Sequence, residues 1–272
     1  MTRATTAFLC SLAILSSLAW TSFSDAATVP VTSGLVYHLD ALDMDANGTL
    51  DPLQGSSPFS DGDSIGTWNA LTGGDATAST LNPTYVASGL NGNPVVRFST
   101  GADRFTWTAV AGQTVIIYQR TQVGANGLAE LVGVNGADTG IRRNGASAWR
   151  GTTTNSGDFT NPAGSEFYVD GVSTESDATS ATDFSIVSAI RGTGSLNFDA
   201  LGYYSSNNRF FVGDVAELLI YDRALTTVER ESVESYLTDK WASQAVPEPA
   251  SFILIGLAGF CLMAVRRRRR RS

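Results

Sequence analysis

Histidine, lysine and cysteine are scarce in this chain of 272 residues. His38 is the only histidine and Lys240 the only lysine, while the two cysteines, Cys10 and Cys261, lie near the chain ends. The central part therefore lacks the residues for Ser-His-Asp or Cys-His hydrolysis and for a zinc site of histidine or cysteine ligands. Because no cysteine pair lies between the ends, no disulfide links the central part, and its stability must come from a hydrophobic core.

Positive charge is also scarce once the two chain ends are set aside. Residues 27–245 contain 11 basic and 24 acidic residues, which gives a net charge of about −13, compared with −8 for the whole chain. Proteins bind nucleic acid largely by neutralising its phosphates with Lys and Arg. This composition therefore excludes nucleic acid as a partner and favours divalent cations and neutral or cationic polymers.

The first 26 residues have the pattern of a secretory signal peptide. Arg3 is followed by an apolar stretch over 7–20, and Ser24, Asp25 and Ala26 provide a small-x-small cleavage site. The apolar stretch is short for a spanning helix, which favours a cleaved signal over an anchor. The pattern predicts export by Sec-type machinery, with Ala27 at the start of the mature chain.

The segment 245–272 has three features in a defined order. Pro247, Glu248 and Pro249 disfavour regular structure and predict an extended, accessible stretch. An uncharged apolar run over 251–265 follows; at ~1.5 Å per residue it is slightly short for the ~30 Å hydrocarbon core. The last feature is a block of arginines that favours the cytoplasmic side of the membrane, namely Arg266, Arg267, Arg268, Arg269, Arg270 and Arg271.

In this order the three features resemble the PEP-CTERM sorting signal of bacterial exported proteins. An ordinary tail anchor would explain the apolar run and the arginines, but not the Pro-Glu-Pro motif. The resemblance implies recognition by an exosortase-type membrane protease and cleavage near the motif. It also implies a transient inner-membrane anchor, followed by delivery to the cell surface or the extracellular matrix.

Short β-prone runs separated by Asn-Gly and Asp-Gly turns fill the region between the two terminal signals. No fixed-period repeat is evident, which disfavours a solenoid or a propeller. One all-β domain is predicted over 27–244, and its many short strands favour a β-sandwich. The predicted strands are 35–40, 94–98, 114–120, 128–134, 147–152, 166–170, 184–191, 196–202 and 214–221.

One amphipathic helix is predicted near the end of this domain. Thr226 and Glu229 have the spacing of a capping box. Val233, Leu237 and Trp241 recur every four residues, as on one face of a helix. The sequence therefore predicts a short helix that packs against the sandwich.

Several segments of the predicted domain form a recognisable series along the chain. They are Gly34-Leu-Val-Tyr-His-Leu-Asp-Ala41, Ile65-Gly-Thr-Trp68, Gly92-Asn-Pro-Val-Val-Arg-Phe98, Phe167-Tyr-Val-Asp-Gly171 and Phe211-Val-Gly-Asp-Val-Ala-Glu-Leu-Leu-Ile-Tyr-Asp-Arg-Ala-Leu225, with Glu229-Arg230, Tyr236-Leu237 and Lys240-Trp241 after the last. In this order the segments resemble concanavalin A-like, laminin-G-like domains of bacterial surface proteins. The resemblance covers about 34–241 and implies a jelly-roll β-sandwich. It does not fix the function, because this fold hosts lectins, adhesion modules and glycosidases.

An acidic segment after the first predicted strand has the spacing of a Ca²⁺ loop. Gly48 lies at position 6, but Gln54 replaces the bidentate Glu of position 12, and a strand rather than a helix precedes the segment. The pattern predicts a weak calcium site, with an acidic solvated turn as the alternative. The predicted ligands, at positions 1, 3, 5 and 9, are Asp43, Asp45, Asn47 and Asp51.

Glycoside hydrolysis needs two carboxylates on either side of one bond. Asp214 and Glu217 lie on the last predicted strand, but their odd spacing predicts that they face opposite sides of the sheet. No catalytic residue is therefore predicted, although a site divided between strands has no spacing by which to recognise it. The chain is predicted not to be an enzyme.

Carbohydrate-binding sites usually combine an aromatic ring with polar side chains that fix sugar hydroxyls. Trp107 and Trp149 lie in alternating segments near polar loops, so they are the candidate ligand-binding rings, with core packing as the alternative. The predicted function is recognition of extracellular polysaccharide or glycoprotein without catalysis. The alternatives are a structural component of the matrix or biofilm, and a glycosidase or lyase with an unrecognised site.

Overall fold

The computed structural model describes most of the domain between the two terminal signals. The described residues are 28–51, 58–79, 81–99, 103–122, 129–137, 139–143, 148–149, 158–174, 178–179, 183–204 and 209–242. The predicted signal peptide and the predicted sorting signal lie outside these ranges. In this described part of the chain, no helix combines the length and the hydropathy that a membrane span needs.

The described chain is built of short strands with one helix at the end. The nine runs predicted as strands all contain strand, and further strands fill the predicted loops between them. The strands are β1 (Leu35–Asp40), β2 (Thr67–Trp68), β3 (Ala76–Ala78), β4 (Thr84–Leu90), β5 (Asn93–Phe98), β6 (Phe105–Gly112), β7 (Thr114–Thr121), β8 (Glu130–Gly133), β9 (Gly140–Arg142), β10 (Ala148–Trp149), β11 (Glu166–Val169), β12 (Val172–Ser173), β13 (Ala178–Thr179), β14 (Ser185–Ile190), β15 (Leu196–Leu201), β16 (Tyr203–Tyr204), β17 (Arg209–Phe210) and β18 (Gly213–Tyr221); the helix is α1 (Thr227–Ala242).

Two large sheets contain nearly all of these strands. The first has the order β12-β11-β14-β7-β18-β5-β4, and β1 also pairs with β18. The second has the order β16-β17-β8-β15-β6-β3-β2, with β9 beside β8. Strand β18 pairs with β7 along one edge, while its other edge is shared between β5 and then β1. The last strand of the chain is therefore held next to the first.

The two sheets pack face to face over an aromatic core. Tyr37 of the first sheet stacks on Trp107 of the second, with ring centroids 4.5 Å apart. Phe98 of the first sheet meets Phe105 of the second edge to face at 6.1 Å. Both pairs bury large apolar rings between the sheets, which is a major source of stability in a domain without disulfides. The β-sandwich predicted from the sequence is confirmed.

Helix α1 covers the outer face of the first sheet, and its predicted capping box is present. Thr226 Oγ1 accepts a hydrogen bond from Glu229 N at 3.4 Å, and the Glu229 carboxylate accepts one from Thr226 N at 2.9 Å. The Trp241 ring contacts Tyr118 of β7 edge to face, with centroids 6.4 Å apart. Thr226 therefore defines the start of the helix, and Trp241 packs its end on the sheet.

Strand β18 contains a bulge that its sequence does not reveal. Val215 pairs with Gln119 of β7 and Glu217 pairs with Tyr118, so Ala216 is an extra residue in β18. A bulge of this kind reverses the alternation of side chains beyond it. It lies where the partner of β18 changes from β5 to β1.

Candidate ligand cavity and metal loop

Three charged side chains meet beneath α1. Asp40 of β1 lies opposite Glu217 of β18, so the two carboxylates are side by side on the same face of the sheet. Lys240 of α1 lies above them, with Nζ 2.5 Å from Asp40 Oδ2 and 2.6 Å from Glu217 Oε2. All three residues are buried. The lysine therefore joins the helix to both the first and the last strand.

Glu217 has a full set of hydrogen-bond donors. Besides Lys240, the Tyr236 hydroxyl donates to Oε1 at 2.9 Å and Trp241 Nε1 donates to Oε2 at 2.8 Å. His38 Nε2 lies 2.8 Å from Oε1. Burial alone would raise the pKa of Glu217, but the Lys240 ammonium and the His38 contact outweigh it and lower the pKa to about 2. The only histidine and the only lysine of the chain thus hold one carboxylate in its charged form.

Asp40 belongs to the same network, but its negative charge is stabilised by fewer partners than that of Glu217. Its Oδ1 accepts a hydrogen bond from Leu42 N at 2.9 Å, and Lys240 is its only cationic hydrogen-bond partner among the described residues. Burial raises the pKa of Asp40, although the lysine opposes this effect. The donor atoms of His38, Asp40 and Glu217 are close enough to hold a metal ion. The ammonium of Lys240, however, already bridges the two carboxylates, so the cluster is a structural ion network.

Asp214 is held on the same outer face of the first sheet. Arg97 Nε donates to its Oδ1 at 2.7 Å, and Arg120 donates to its Oδ2. Arg120 lies on the same side of β7 as Tyr118, whose ring contacts α1, so Asp214 is on that face as well. The prediction that Asp214 and Glu217 face opposite sides is therefore wrong, because the bulge in β18 reverses the alternation between them. Both carboxylates are fully buried and form ion pairs with Arg or Lys.

The acidic loop that follows β1 is a tight turn centred on Asp43. Asp43 Oδ1 accepts a hydrogen bond from Asn47 N at 3.0 Å, and Oδ2 accepts one from Gly48 N at 2.8 Å. Gly48 has a φ of 81°, in the left-handed region that glycine adopts without strain. The Asn47 side chain donates to Asp45 Oδ2 at 2.7 Å and accepts from Thr49 N at 2.8 Å. Asn47 therefore shapes the loop through its own hydrogen bonds.

The three carboxylates among the four predicted calcium ligands converge. One carboxylate oxygen from each of Asp43, Asp45 and Asp51 lies within 4.8 Å of the others. Asp51 is fully buried; its Oδ2 accepts a hydrogen bond from Met44 N at 2.9 Å, while its Oδ1 has no hydrogen-bond partner among the described residues. Burial and the neighbouring carboxylates raise the pKa of Asp51 to about 6. Gln54 lies outside the described residues.

A cavity of about 550 Å³ lies between this loop, β1 and α1. It brings together residues that are distant in the sequence. Tyr236 lies in the helix that the sequence predicts, but nothing in the spacing of the sequence indicates that it shares a cavity with the acidic loop. The polar part of the wall contains His38, Asp40, Asp43 and Tyr236, and the apolar part contains Leu35, Leu50 and Leu71.

The two tryptophans predicted as ligand-binding rings are core residues. Trp107 is 8% exposed, stacks on Tyr37, and donates from Nε1 to the Phe198 carbonyl at 3.0 Å. Trp149 is fully buried. Neither ring offers an open face to a sugar, so their assignment as ligand-binding residues is corrected to core packing. Alternation of apolar and polar residues along a strand indicates that one face of the strand is buried. The pattern is the same whether that face packs against the core or binds a ligand.

Comparison with known proteins supports the predicted sorting signal. The family model of the PEP-CTERM protein-sorting motif matches residues 245–270. This match confirms the assignment made from Pro247, Glu248, Pro249 and the arginine block. The motif implies an exported protein that is transiently anchored in the membrane and processed by an exosortase, a membrane protease.

The solved structures that resemble the chain include complexes of Trypanosoma rangeli sialidase. The complex with sialic acid is 15% identical with a TM-score of 0.46, over 80% of this chain and 35% of the sialidase. The complex with the inhibitor DANA is 14% identical with a TM-score of 0.42, over 76% of this chain and 33% of the sialidase. The chain thus spans about a third of these proteins, and likeness at this level does not bear on activity. No curated protein matches the chain.

Proposed function

We propose that this chain is a surface module that recognises extracellular polysaccharide or glycoprotein in the cavity beside α1 and does not cleave it. The PEP-CTERM motif supports an extracellular location after export. The cavity supports a ligand: its volume of about 550 Å³ is within the ~300–1,000 Å³ typical of small-molecule sites. The observation that carries the proposal is this cavity, whose wall combines leucines with two aspartates, a histidine and a tyrosine.

The chemistry of the wall favours a neutral sugar. Leu50 and Leu71 provide apolar surface for the C–H face of a pyranose ring, while Asp40 and Asp43 provide oxygens that can accept hydrogen bonds from hydroxyls. The net charge of about −13 between residues 27 and 245 repels sulfated or uronic polymers. We therefore expect neutral glucans or galactans to bind better than their sulfated counterparts.

The partners of three buried carboxylates, of which only Asp43 lines the cavity, favour binding over catalysis. Glu217 is saturated by four partners, and Asp214 is held by two arginines. Asp43 accepts hydrogen bonds from two backbone amides. Carboxylates fixed in this way are poor proton donors and nucleophiles, since reaction would cost them their existing partners.

One observation favours a glycosidase as the second candidate function. Asp40 and Asp43 both line the cavity, and burial raises the pKa of each, as is typical of a general acid. If this pair cleaves a glycosidic bond, purified protein will release reducing ends from a polysaccharide, and Asp40→Asn will stop the release. Absence of release from a polysaccharide that binds supports recognition.

A glycan array tests the proposal directly. The full-length chain in detergent is applied to neutral β-glucans and galactans and to sulfated galactans. Binding to at least one neutral class, without release of reducing ends, supports recognition. Failure of the folded protein to bind any glycan would overturn the proposal and favour the structural component of the matrix or biofilm.

A further inference from the structure

We propose that the loop over residues 43–51 binds Ca²⁺ through the carboxylates of Asp43, Asp45 and Asp51. The inference does not depend on a polysaccharide ligand, because it rests only on the geometry of this loop. Asp43 is the residue common to the loop and the cavity wall, so the two sites share one side chain.

The first observation is the crowding of three acidic groups. One oxygen from each carboxylate lies within 4.8 Å of the other two, and Asp43 and Asp51 are buried. Like charges at this separation repel each other strongly where water is partly excluded. The described residues place no Lys or Arg in hydrogen-bonding contact with Asp43, Asp45 or Asp51. A divalent cation would turn this repulsion into attraction.

The second observation is independent of the first and concerns Asp51 alone. This residue is fully buried, and one of its oxygens is bound by Met44 N, while Oδ1 has no hydrogen-bond partner in the described part of the chain. A buried carboxylate oxygen without a partner is costly and rare in folded proteins. The same side chain belongs to the cluster of three, so a cation that binds Oδ1 would satisfy it.

The donor atoms select the kind of ion. All three ligands are hard carboxylate oxygens, and the cluster contains no histidine or cysteine, so zinc and the softer metals are disfavoured. Ca²⁺ accepts irregular oxygen shells at ~2.3–2.6 Å, whereas Mg²⁺ requires a near-ideal octahedron.

Asn69 ties the loop to the sandwich, because its Nδ2 donates to the Asp45 carbonyl at 3.2 Å and its backbone N donates to the Met44 carbonyl at 3.2 Å. The loop therefore has a fixed shape before the ion binds.

Calcium in this loop would also hold one wall of the cavity. Asp43, Gly48 and Leu50 line the cavity, and all three lie within the loop. Neutralising Asp43 and Asp45 would fix the turn that places Leu50. Calcium would therefore stabilise the cavity wall as well as the loop.

Calcium titration of the full-length chain in detergent, after treatment with a chelator and without glycan, tests the site. With three carboxylates we expect a dissociation constant of ~10⁻⁴–10⁻³ M, at the weak, extracellular end of the range. For a domain of this size, about 10 mM Ca²⁺ should then raise the melting temperature by roughly 3–11 °C. Mg²⁺ should give a smaller shift.

Three variants distinguish this loop from general effects of salt. Asp51→Asn and Asp45→Asn should each weaken Ca²⁺ binding about tenfold or more and remove most of the thermal shift. Asp63→Asn is the matched control, because Asp63 is exposed and its carboxylate accepts a hydrogen bond from Ser60 N in a separate turn. Asp45 is only partly buried, so its variant decides the question if Asp51→Asn does not fold.

Two results would overturn the site. One is a wild-type chain whose melting temperature does not change with Ca²⁺ and which shows no binding heat. The other is equal Ca²⁺ affinity in the wild type and in Asp45→Asn. Because no glycan is present, either result leaves the proposed recognition of polysaccharide untouched.

Discussion

Lys240 Nζ lies 2.6 Å from Glu217 Oε2, and the two residues form a buried ion pair between the only helix described and the last strand of the sandwich. The same ammonium contacts Asp40 Oδ2 at 2.5 Å, 200 positions earlier in the chain. Three elements are thus joined at one point beneath α1. Packing alone could hold the helix on the sheet, whereas this ion pair also fixes its position along the sheet.

Breaking this pair should destabilise the domain strongly. Lys240→Met leaves two buried carboxylates without their shared cation, and Glu217→Gln removes the acceptor of four partners. We expect each to lower the free energy of unfolding by about 3–5 kcal/mol, as measured by urea denaturation. Glu231→Gln is the control. The Glu231 side chain is exposed and its partner Arg230 keeps a second ion pair with Glu234, so the change should cost about 1 kcal/mol or less. Equal losses in Glu217→Gln and Glu231→Gln would contradict the structural role of the network.

Glu217 should also make the stability of the domain sensitive to acid. Its pKa falls from an ordinary value of 4.5 to about 2 in the folded protein. The carboxylate therefore stabilises the fold fully above about pH 4.5, and this contribution, of the order of 3 kcal/mol, is lost as the pH falls towards 2.

Urea denaturation between about pH 6 and pH 2.5 measures this loss. The wild type should lose more stability over this range than Glu217→Gln, which has no carboxylate to protonate at this position. Asp40 is present in both proteins, and burial raises its pKa, so its own titration acts in the opposite direction. Equal slopes in the two proteins would show that Glu217 is not held in its charged form by the fold.

The sequence predicted the elements of the fold better than it predicted their contacts. The first strand, Leu35–Asp40, and the capping box at Thr226 follow from local patterns, and the structure confirms both. The bulge at Ala216 could not be predicted, because it depends on where the partner of β18 changes from β5 to β1. A change of pairing partner depends on the whole sheet, so it cannot be predicted from the spacing of residues within one strand.

The candidate site likewise combines features that local sequence patterns predict with contacts that they do not predict. The ligand spacing of the acidic loop is local, and its three carboxylates converge, namely those of Asp43, Asp45 and Asp51. The cavity, in contrast, needs side chains from β1, the loop and α1, and its lining residues Leu35 and Tyr236 are about 200 positions apart. Burial of Trp107 and Trp149 likewise depends on which sheet face meets the other, so their sequence context could not separate a core ring from a sugar-binding ring.

Processing at the C-terminal motif can be followed in the native host. If an exosortase cleaves there, surface-associated protein should begin near Ala27 and lack the arginine block, as measured by intact mass. Replacement of Pro247, Glu248 and Pro249 by alanine should leave export intact but keep the protein in the membrane fraction. Gln244→Ala, just before the motif, is the control and should be processed normally. Surface protein that mostly retains its arginines would indicate a permanent tail anchor.

The proposed recognition of polysaccharide in the cavity is tested most directly by calorimetric titration of a neutral polysaccharide into the full-length chain with Ca²⁺ present. Thr72 lines the cavity, so Thr72→Trp should fill it and weaken binding about tenfold or more. Thr77→Trp is the matched control, because Thr77 is exposed on β3 in the second sheet, and it should bind like the wild type. Weakened binding in Thr72→Trp alone is the predicted result. A wild type that binds no polysaccharide, or a Thr72→Trp variant that binds as tightly as the wild type, would contradict the account.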